Sequence, residues 1–220
     1  MRLREVRDKI DAAVTRGGHG QTAVIVAVTK THGPDAVEAA SRAGLGDVGE
    51  NKVQEALPKM DAVTVPVRWH LIGHLQRNKV KALEKFDLLH SLDSARLADA
   101  VSDFGMAAGA PVHALLQVNV VGEESKGGFE RGEWEAEAAR LRGLAGIRVQ
   151  GVMTMAPLDA DERTLRTVFA GARDARDVLR AAGHDATELS MGMSHDYEVA
   201  VEEGATLVRL GTILFGARSA

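Results

Sequence analysis

The sequence has no cysteine, which excludes disulfide bonds, thiolate metal sites and a cysteine nucleophile. A chain without cysteine is typical of a reducing compartment, and we expect the protein to be cytoplasmic. No apolar run approaches the roughly 20 residues needed to cross a bilayer. Residues 1–9 alternate charges and have no apolar core of the kind found in a signal peptide.

An excess of positive charge is also absent. The 27 Lys and Arg residues are outnumbered by 31 Asp and Glu residues, which gives a net charge of −4. This balance supplies no electrostatic attraction to a polyanion. We therefore expect neither nucleic acid nor a membrane among the partners.

Short apolar segments alternate with helical patterns along most of the 220 residues. An amphipathic helix with Leu3, Val6 and Ile10 on one face comes first and ends at Gly17-Gly18. The predicted strands are Val24–Lys30, Gly46–Glu50, Arg68–Gly73, Leu88–Asp93, Val112–Asn119, Val149–Met155, Thr187–Gly192 and Leu207–Gly211. The clearest predicted helices between them are Pro34–Ala43, Ser94–Phe104, Glu130–Leu141 and Glu162–Ala182.

Strands that are separated by helices must pair in parallel through crossover connections. Eight such units predict an α/β protein of one domain, residues 1–220, folded as a single (β/α)8 TIM barrel with an extra N-terminal helix. The alternative is an open sheet of six or seven strands, because Gly46–Glu50 and Leu207–Gly211 are short.

Lys30 ends the first predicted strand, where barrel enzymes place their chemistry. Side chains alternate along a strand, so Lys30 shares a face with Val28, Val26 and Val24. An inward lysine at the barrel mouth is partly desolvated, which lowers its pKa and makes its amine nucleophilic. The pattern is equally compatible with a lysine that turns out to water.

Arg209 lies inside the last predicted strand, where an unpaired charge is costly. Its partner is either a structural carboxylate or a ligand atom within the barrel.

Small and hydroxyl residues occupy the two loops where barrels commonly bind phosphate. Ser194 follows the seventh predicted strand, and Gly211-Thr212 end and follow the eighth. Backbone N–H groups at these loops can face an anion. The alternative is that Ser194 only caps the helix that begins near Asp196.

Two other patterns carry no prediction. Gly44–Gly49 matches G-x-G-x-x-G but follows a helix and leads into a strand, the reverse of a dinucleotide site. His70 and His74 lie in a segment that is mostly strand, where four residues span about 13 Å, too far for two ligands of one metal. We expect no metal site.

Several long motifs together resemble those of the pyridoxal 5′-phosphate (PLP) homeostasis proteins, a family similar to the N-terminal barrel of alanine racemase. The matching stretches, in order from Ala27 to Arg218, are 27–30, 49–55, 69–79, 91–94, 118–119, 124–129, 151–155, 189–194 with Asp196, 208–212 and 215–216. The resemblance implies PLP as the cofactor and assigns a role to each of several positions.

The resemblance implies that Lys30 holds PLP as a Schiff base. Ser194 and the backbone of Gly211 and Thr212 are implied to bind the phosphate. Asn51 is implied to lie beside the ring.

The resemblance also implies that Arg209 faces the pyridine nitrogen. A guanidinium cannot accept the proton that makes PLP a strong electron sink, so this nitrogen should stay neutral. Alanine racemase adds a catalytic tyrosine from a C-terminal β domain. This sequence continues only nine residues past Gly211, and its single tyrosine is Tyr197. We expect the second acid–base group to be missing.

The resulting hypothesis is a PLP-binding protein that stores, buffers or delivers the cofactor without robust turnover. PLP-dependent apo-enzymes are then the expected recipients. The first alternative is an amino-acid racemase-like PLP enzyme that uses Tyr197 or a histidine as its second base. The second is a Schiff-base aldolase without a cofactor, in which Lys30 attacks a sugar-phosphate carbonyl.

Overall fold

The computed structural model describes residues 3–123 and 126–216. The strands are β1 Val24–Val28, β2 Asp47–Glu50, β3 Arg68–Leu71, β4 Leu88–Leu92, β5 Val112–Gln117, β6 Ile147–Met153, β7 Glu188–Ser190 and β8 Leu207–Leu210. The α-helices are α1 Leu3–Gly17, α2 Pro34–Arg42, α3 Val53–Ala62, α4 Ala95–Ala108, α5 Trp134–Arg142, α6 Glu162–Ala181, α7 Tyr197–Glu202 and α8 Thr212–Phe215, with 3-10 turns at Arg77–Lys85 and Arg131–Glu133. The motif residues Glu124, Ser125 and Arg218 lie outside the described ranges.

All eight strands pair in parallel and close into one barrel. Closure joins β1 to β8, with Val26 opposite Arg209. The predicted (β/α)8 barrel is therefore confirmed, and the open sheet is wrong. Most strands end before their predicted limits, and β1 stops at Val28 rather than Lys30. No helix within the described ranges is both long enough and apolar enough to cross a membrane.

The apolar core has two layers, one inside the barrel and one around it. The inner layer is formed by Val26, Leu88, Leu115, Met153 and Leu207, which come from five different strands. Ile25 and Ala27 belong to the larger outer layer between strands and helices. This alternation confirms the side-chain pattern predicted for the first strand.

The predicted N-terminal helix α1 is present and packs against α7. Lys9 pairs with Glu198 at 2.9 Å, and Arg16 pairs with Glu202 at 2.6 Å. The contact is close at Gly17, where a Cβ atom would lie 2.3 Å from the carbonyl oxygen of Glu202. Helix α1 thus holds the helix that follows the Ser194 loop.

Candidate functional site

A pocket of about 360 Å³ opens at the carboxyl ends of the strands. This volume is within the usual range for small-molecule sites. The lining includes all six residues singled out in the sequence, namely Lys30, Asn51, Ser194, Arg209, Gly211 and Thr212. The rest of the wall is mostly apolar and also includes Thr31 and two histidines. The structure therefore brings the candidate residues together, while the role of each is a separate proposal.

Lys30 lies two residues beyond the end of β1, in a tight turn. The Thr29 N–H donates to the carbonyl of Gly49 at 3.1 Å, and the His32 N–H donates to the carbonyl of Thr29 at 3.0 Å. Thr31 has a φ of 67°, a strained value for a β-branched residue. Lys30 and Thr31, which lie in this turn, both line the pocket.

A buried ion pair lies directly behind this turn, on the outer side of the barrel. The Lys59 ammonium donates to Glu50 Oε1 at 2.5 Å and to the carbonyl of Thr29 at 2.8 Å. The Thr29 hydroxyl donates to the same carboxylate oxygen at 2.5 Å. Both charged side chains are almost completely buried. The pair ties Thr29, which precedes Lys30, to Glu50, which precedes Asn51.

Asn51 follows β2 and is covered by the loop after β3. A Cβ atom on Gly73 would lie 2.3 Å from the carbonyl oxygen of Asn51, so only glycine permits this approach. The Ile72 N–H also donates to the carbonyl of Glu50 at 2.9 Å. These contacts fix Asn51 at the pocket wall.

The Ser194 loop meets the start of α8 just beyond β8, the strand that pairs with β1. The Ile213 N–H reaches Ser194 Oγ at 3.4 Å. The N-cap residue of α7 is Asp196, so Ser194 lies two residues too early for the capping role considered as an alternative. The backbone N–H groups of Ser194, Gly211 and Thr212 donate to no acceptor in the described part of the chain. They remain available to an anion.

Arg209 is buried within β8 and reaches the pocket. Its guanidinium donates to Ser190 Oγ at 2.6 Å, to the Ser190 carbonyl at 2.8 Å and to the Thr154 carbonyl at 2.9 Å. No carboxylate of the described residues forms an ion pair with it, so the structural pair considered from sequence is wrong. Burial lowers the pKa of Arg209 to about 10, and the nearby charge of Asp196 opposes that shift. The side chain is a cation at neutral pH.

Ser190 also contacts a buried pair of histidines that was not predicted from the sequence. His90 Nδ1 lies 2.8 Å from Ser190 Oγ, and His90 Nε2 lies 2.8 Å from His70 Nδ1. Burial, with the neighbouring charge of Arg209, holds the pKa of His90 well below its ordinary value. Inward positions on neighbouring strands were the available signal, but His70 was considered mainly as a metal ligand.

The only tyrosine does not line the pocket. Tyr197 is 3% exposed and packs into the outer core from α7. His32 and His195 instead lie on the pocket wall. Of the acid–base candidates named from sequence, histidine is therefore the type that the described structure places on the pocket wall.

A family model and individual proteins match this chain over nearly its whole length. The family model described as "Alanine racemase, N-terminal domain" matches residues 2–219. The pyridoxal phosphate homeostasis protein of Aquifex aeolicus is 41% identical over 221 residues, covering 99% of this chain and 97% of the relative. That of Pseudomonas aeruginosa is 40% identical over 210 residues, covering 94% and 90%.

Solved structures agree with these matches. PipY of Synechococcus elongatus, determined with PLP bound, has a TM-score of 0.83 and 35% identity, covering 94% of this chain and 100% of PipY. Alanine racemase from Corynebacterium glutamicum has a TM-score of 0.73 at 17% identity, covering 97% of this chain and 63% of the racemase, and this likeness shows the fold alone. The chain belongs to the alanine racemase N-terminal domain family and, within it, to the pyridoxal phosphate homeostasis proteins.

Proposed function

We propose that this protein binds PLP in the pocket through a Schiff base on Lys30 and acts in PLP homeostasis. It stores, buffers or delivers the cofactor, with PLP-dependent apo-enzymes as recipients, and has no robust turnover of its own. The observation that carries the proposal is the convergence of a lysine, a serine, the two residues that follow β8 (Gly211 and Thr212) and a buried arginine in one pocket. The names of the relatives and the PLP-bound PipY structure support the same ligand.

The donor set of the pocket fits the polar groups of PLP. The amine of Lys30 suits the aldehyde. Ser194 Oγ, with the N–H groups of Gly211 and Thr212, suits the phosphate. The guanidinium of Arg209 carries five N–H donors, so its three protein contacts leave capacity for the ring nitrogen. Asn51 completes the wall beside the ring.

The same residues favour holding the cofactor over using it. When bound, PLP supplies an electron sink whose strength depends on protonation of the ring nitrogen. Arg209 is a donor only and cannot share a proton with that nitrogen. Three hydrogen bonds to Ser190 and Thr154 orient its guanidinium. The pocket therefore recognises the cofactor while leaving its sink weak.

Replacement of Ser194 by alanine should weaken PLP far more than pyridoxal, which lacks the phosphate. Loss of a hydrogen bond to a charged group costs roughly 1.5–3 kcal/mol, or about 10- to 150-fold in affinity. Equilibrium binding of both ligands to wild type and variant measures the difference. Ser41→Ala, in α2 and outside the pocket, is the matched control and should bind both ligands as wild type does. Equal weakening of PLP and pyridoxal by Ser194→Ala would place the phosphate elsewhere.

The protein should show no substantial racemization of alanine or serine. Racemization needs one group on each face of the Cα–H bond, and Lys30 can serve only one. Arg209→Glu should strengthen the electron sink without supplying the second group. Deuterium exchange and chiral analysis of wild type and this variant, with circular dichroism to check folding, measure both claims.

A racemase-like enzyme is the second candidate because two histidines line the pocket. Wild-type turnover near the common enzyme range of about 1–10³ s⁻¹ would overturn the carrier function. His195→Ala and His32→Ala would then identify the second base. Tyr197→Phe is the control, since Tyr197 is buried away from the pocket wall.

A further inference from the structure

A chain of polar side chains crosses the interior of the barrel. It joins Asp47 at the start of β2 to Arg209 at the pocket. The successive distances are 2.9 Å from Asp47 Oδ1 to His70 Nε2, 2.8 Å from His70 Nδ1 to His90 Nε2, 2.8 Å from His90 Nδ1 to Ser190 Oγ, and 2.6 Å from Ser190 Oγ to the guanidinium. We call these five side chains the relay.

The relay spans the barrel from one side to the other. Asp47, His70 and His90 come from the neighbouring strands β2, β3 and β4, whereas Ser190 and Arg209 come from β7 and β8. The histidines and the serine are completely buried. Polar groups in such surroundings are costly unless they are hydrogen-bonded, so every link of the relay contributes to the fold.

The donors and acceptors of the relay run in one direction. Arg209 can only donate, so Ser190 Oγ accepts from it. The Ser190 hydroxyl must then donate, and His90 Nδ1 is the one acceptor that the described residues offer it. His90 is therefore unprotonated at Nδ1. Because burial keeps the pKa of His90 well below its ordinary value, the ring is neutral and its proton is on Nε2.

The same donor and acceptor rules fix the direction of the remaining hydrogen bonds, from His90 to Asp47. His90 Nε2–H donates to His70 Nδ1, so His70 carries its proton on Nε2 and donates it to Asp47. Burial raises the pKa of Asp47, but the hydrogen bond from His70 and the charge of Arg68 outweigh this effect and lower the pKa overall. Asp47 is therefore an ionised acceptor. The relay ends on the one side chain that can only accept.

We infer that Asp47, His70, His90 and Ser190 are positioning residues for Arg209, through hydrogen bonds of fixed direction that orient its guanidinium in the pocket. The inference rests on the proposed function only for the identity of the ligand. His90 is the central member, because its two ring nitrogens join the two sides of the barrel. Its contribution to ligand binding is transmitted through Ser190 and Arg209 and involves no contact with the ligand.

The first test measures the histidine tautomers without any ligand. Nitrogen-15 NMR at neutral pH should show His70 and His90 neutral, with the proton on Nε2 in both. His184 is an internal reference, because its Nε2 lies 2.8 Å from the Ala138 carbonyl, which only accepts. A proton on Nδ1 of His70 or His90 would reverse the direction and overturn the inference. This test does not depend on PLP binding.

The second test compares two replacements of His90. Asparagine places its amide near the Nδ1 position and can keep the contact with Ser190, whereas glutamine reaches the Nε2 position and keeps only the contact with His70. Both remove the same ring. His90→Gln should weaken PLP roughly two- to tenfold and change the absorbance of the bound ligand, while His90→Asn should stay close to wild type.

Equal losses in the two His90 variants would mean that the ring acts by packing alone, which would overturn the inference. Folding of both variants is checked by thermal unfolding before ligand is added. If wild type binds no PLP, the proposed function fails, and the NMR test still decides the direction of the relay.

Discussion

Replacement of Lys30 by alanine is expected to abolish covalent attachment of PLP. Lys30 is the one lysine among the described residues that line the pocket, and it follows β1, the neighbour of the strand β8 that precedes the N–H groups proposed for the phosphate. No other amine is then placed to react with a ligand held by those groups. The visible absorption of the protein mixed with PLP should be lost in Lys30→Ala and present in wild type.

Lys52→Ala is the matched control for this experiment. Lys52 is close in sequence to Asn51 but is 70% exposed and pairs with Glu55 on α3. Its removal should leave the visible band unchanged. A wild-type band in Lys30→Ala, or loss of the band only in Lys52→Ala, would contradict the assignment.

Replacement of Lys59 by methionine should reduce the free energy of unfolding by about 3–5 kcal/mol. The methionine fills a similar volume but leaves the Glu50 carboxylate buried with no cation, and one of its oxygens already has no hydrogen-bond partner. Urea unfolding followed by circular dichroism measures the difference. This loss is a large part of the stability of a typical domain.

The control for the buried pair is Lys85→Met. Lys85 contacts Asp61 at the similar distance of 2.6 Å, but both side chains are largely exposed. Exposed pairs contribute about 0–1 kcal/mol, so this variant should unfold close to wild type. Similar small losses of unfolding free energy in both variants would show that the buried pair contributes no more to stability than an exposed pair does.

Much of the barrel could be predicted because its signal is local. Apolar segments of strand length and the helical patterns between them are readable one at a time, and parallel pairing follows from the connections. The predicted strand limits were too long because the sequence does not mark the residue at which ladder hydrogen bonding stops near the mouth of the barrel. Val28 is the last residue of β1, whereas Lys30 was predicted to end it.

The candidate pocket was predictable for the related reason that its residues follow strand ends. Polar contacts between residues far apart in the sequence could not be predicted. His90 and Ser190 are 100 positions apart, and their contact depends on which strands face each other across the barrel. The acceptors of Arg209 include two backbone carbonyls, which every residue has and no sequence pattern marks. The Glu50–Lys59 pair was missed because a lysine in a helix ordinarily indicates an exposed face.

The most direct test of the account is to locate the covalent site itself. Protein loaded with PLP is reduced with borohydride, digested and mapped by mass spectrometry. We expect the pyridoxyl group on the peptide that contains Lys30. Label found mainly on Lys52, Lys79 or Lys126, or no label on any lysine, would contradict it.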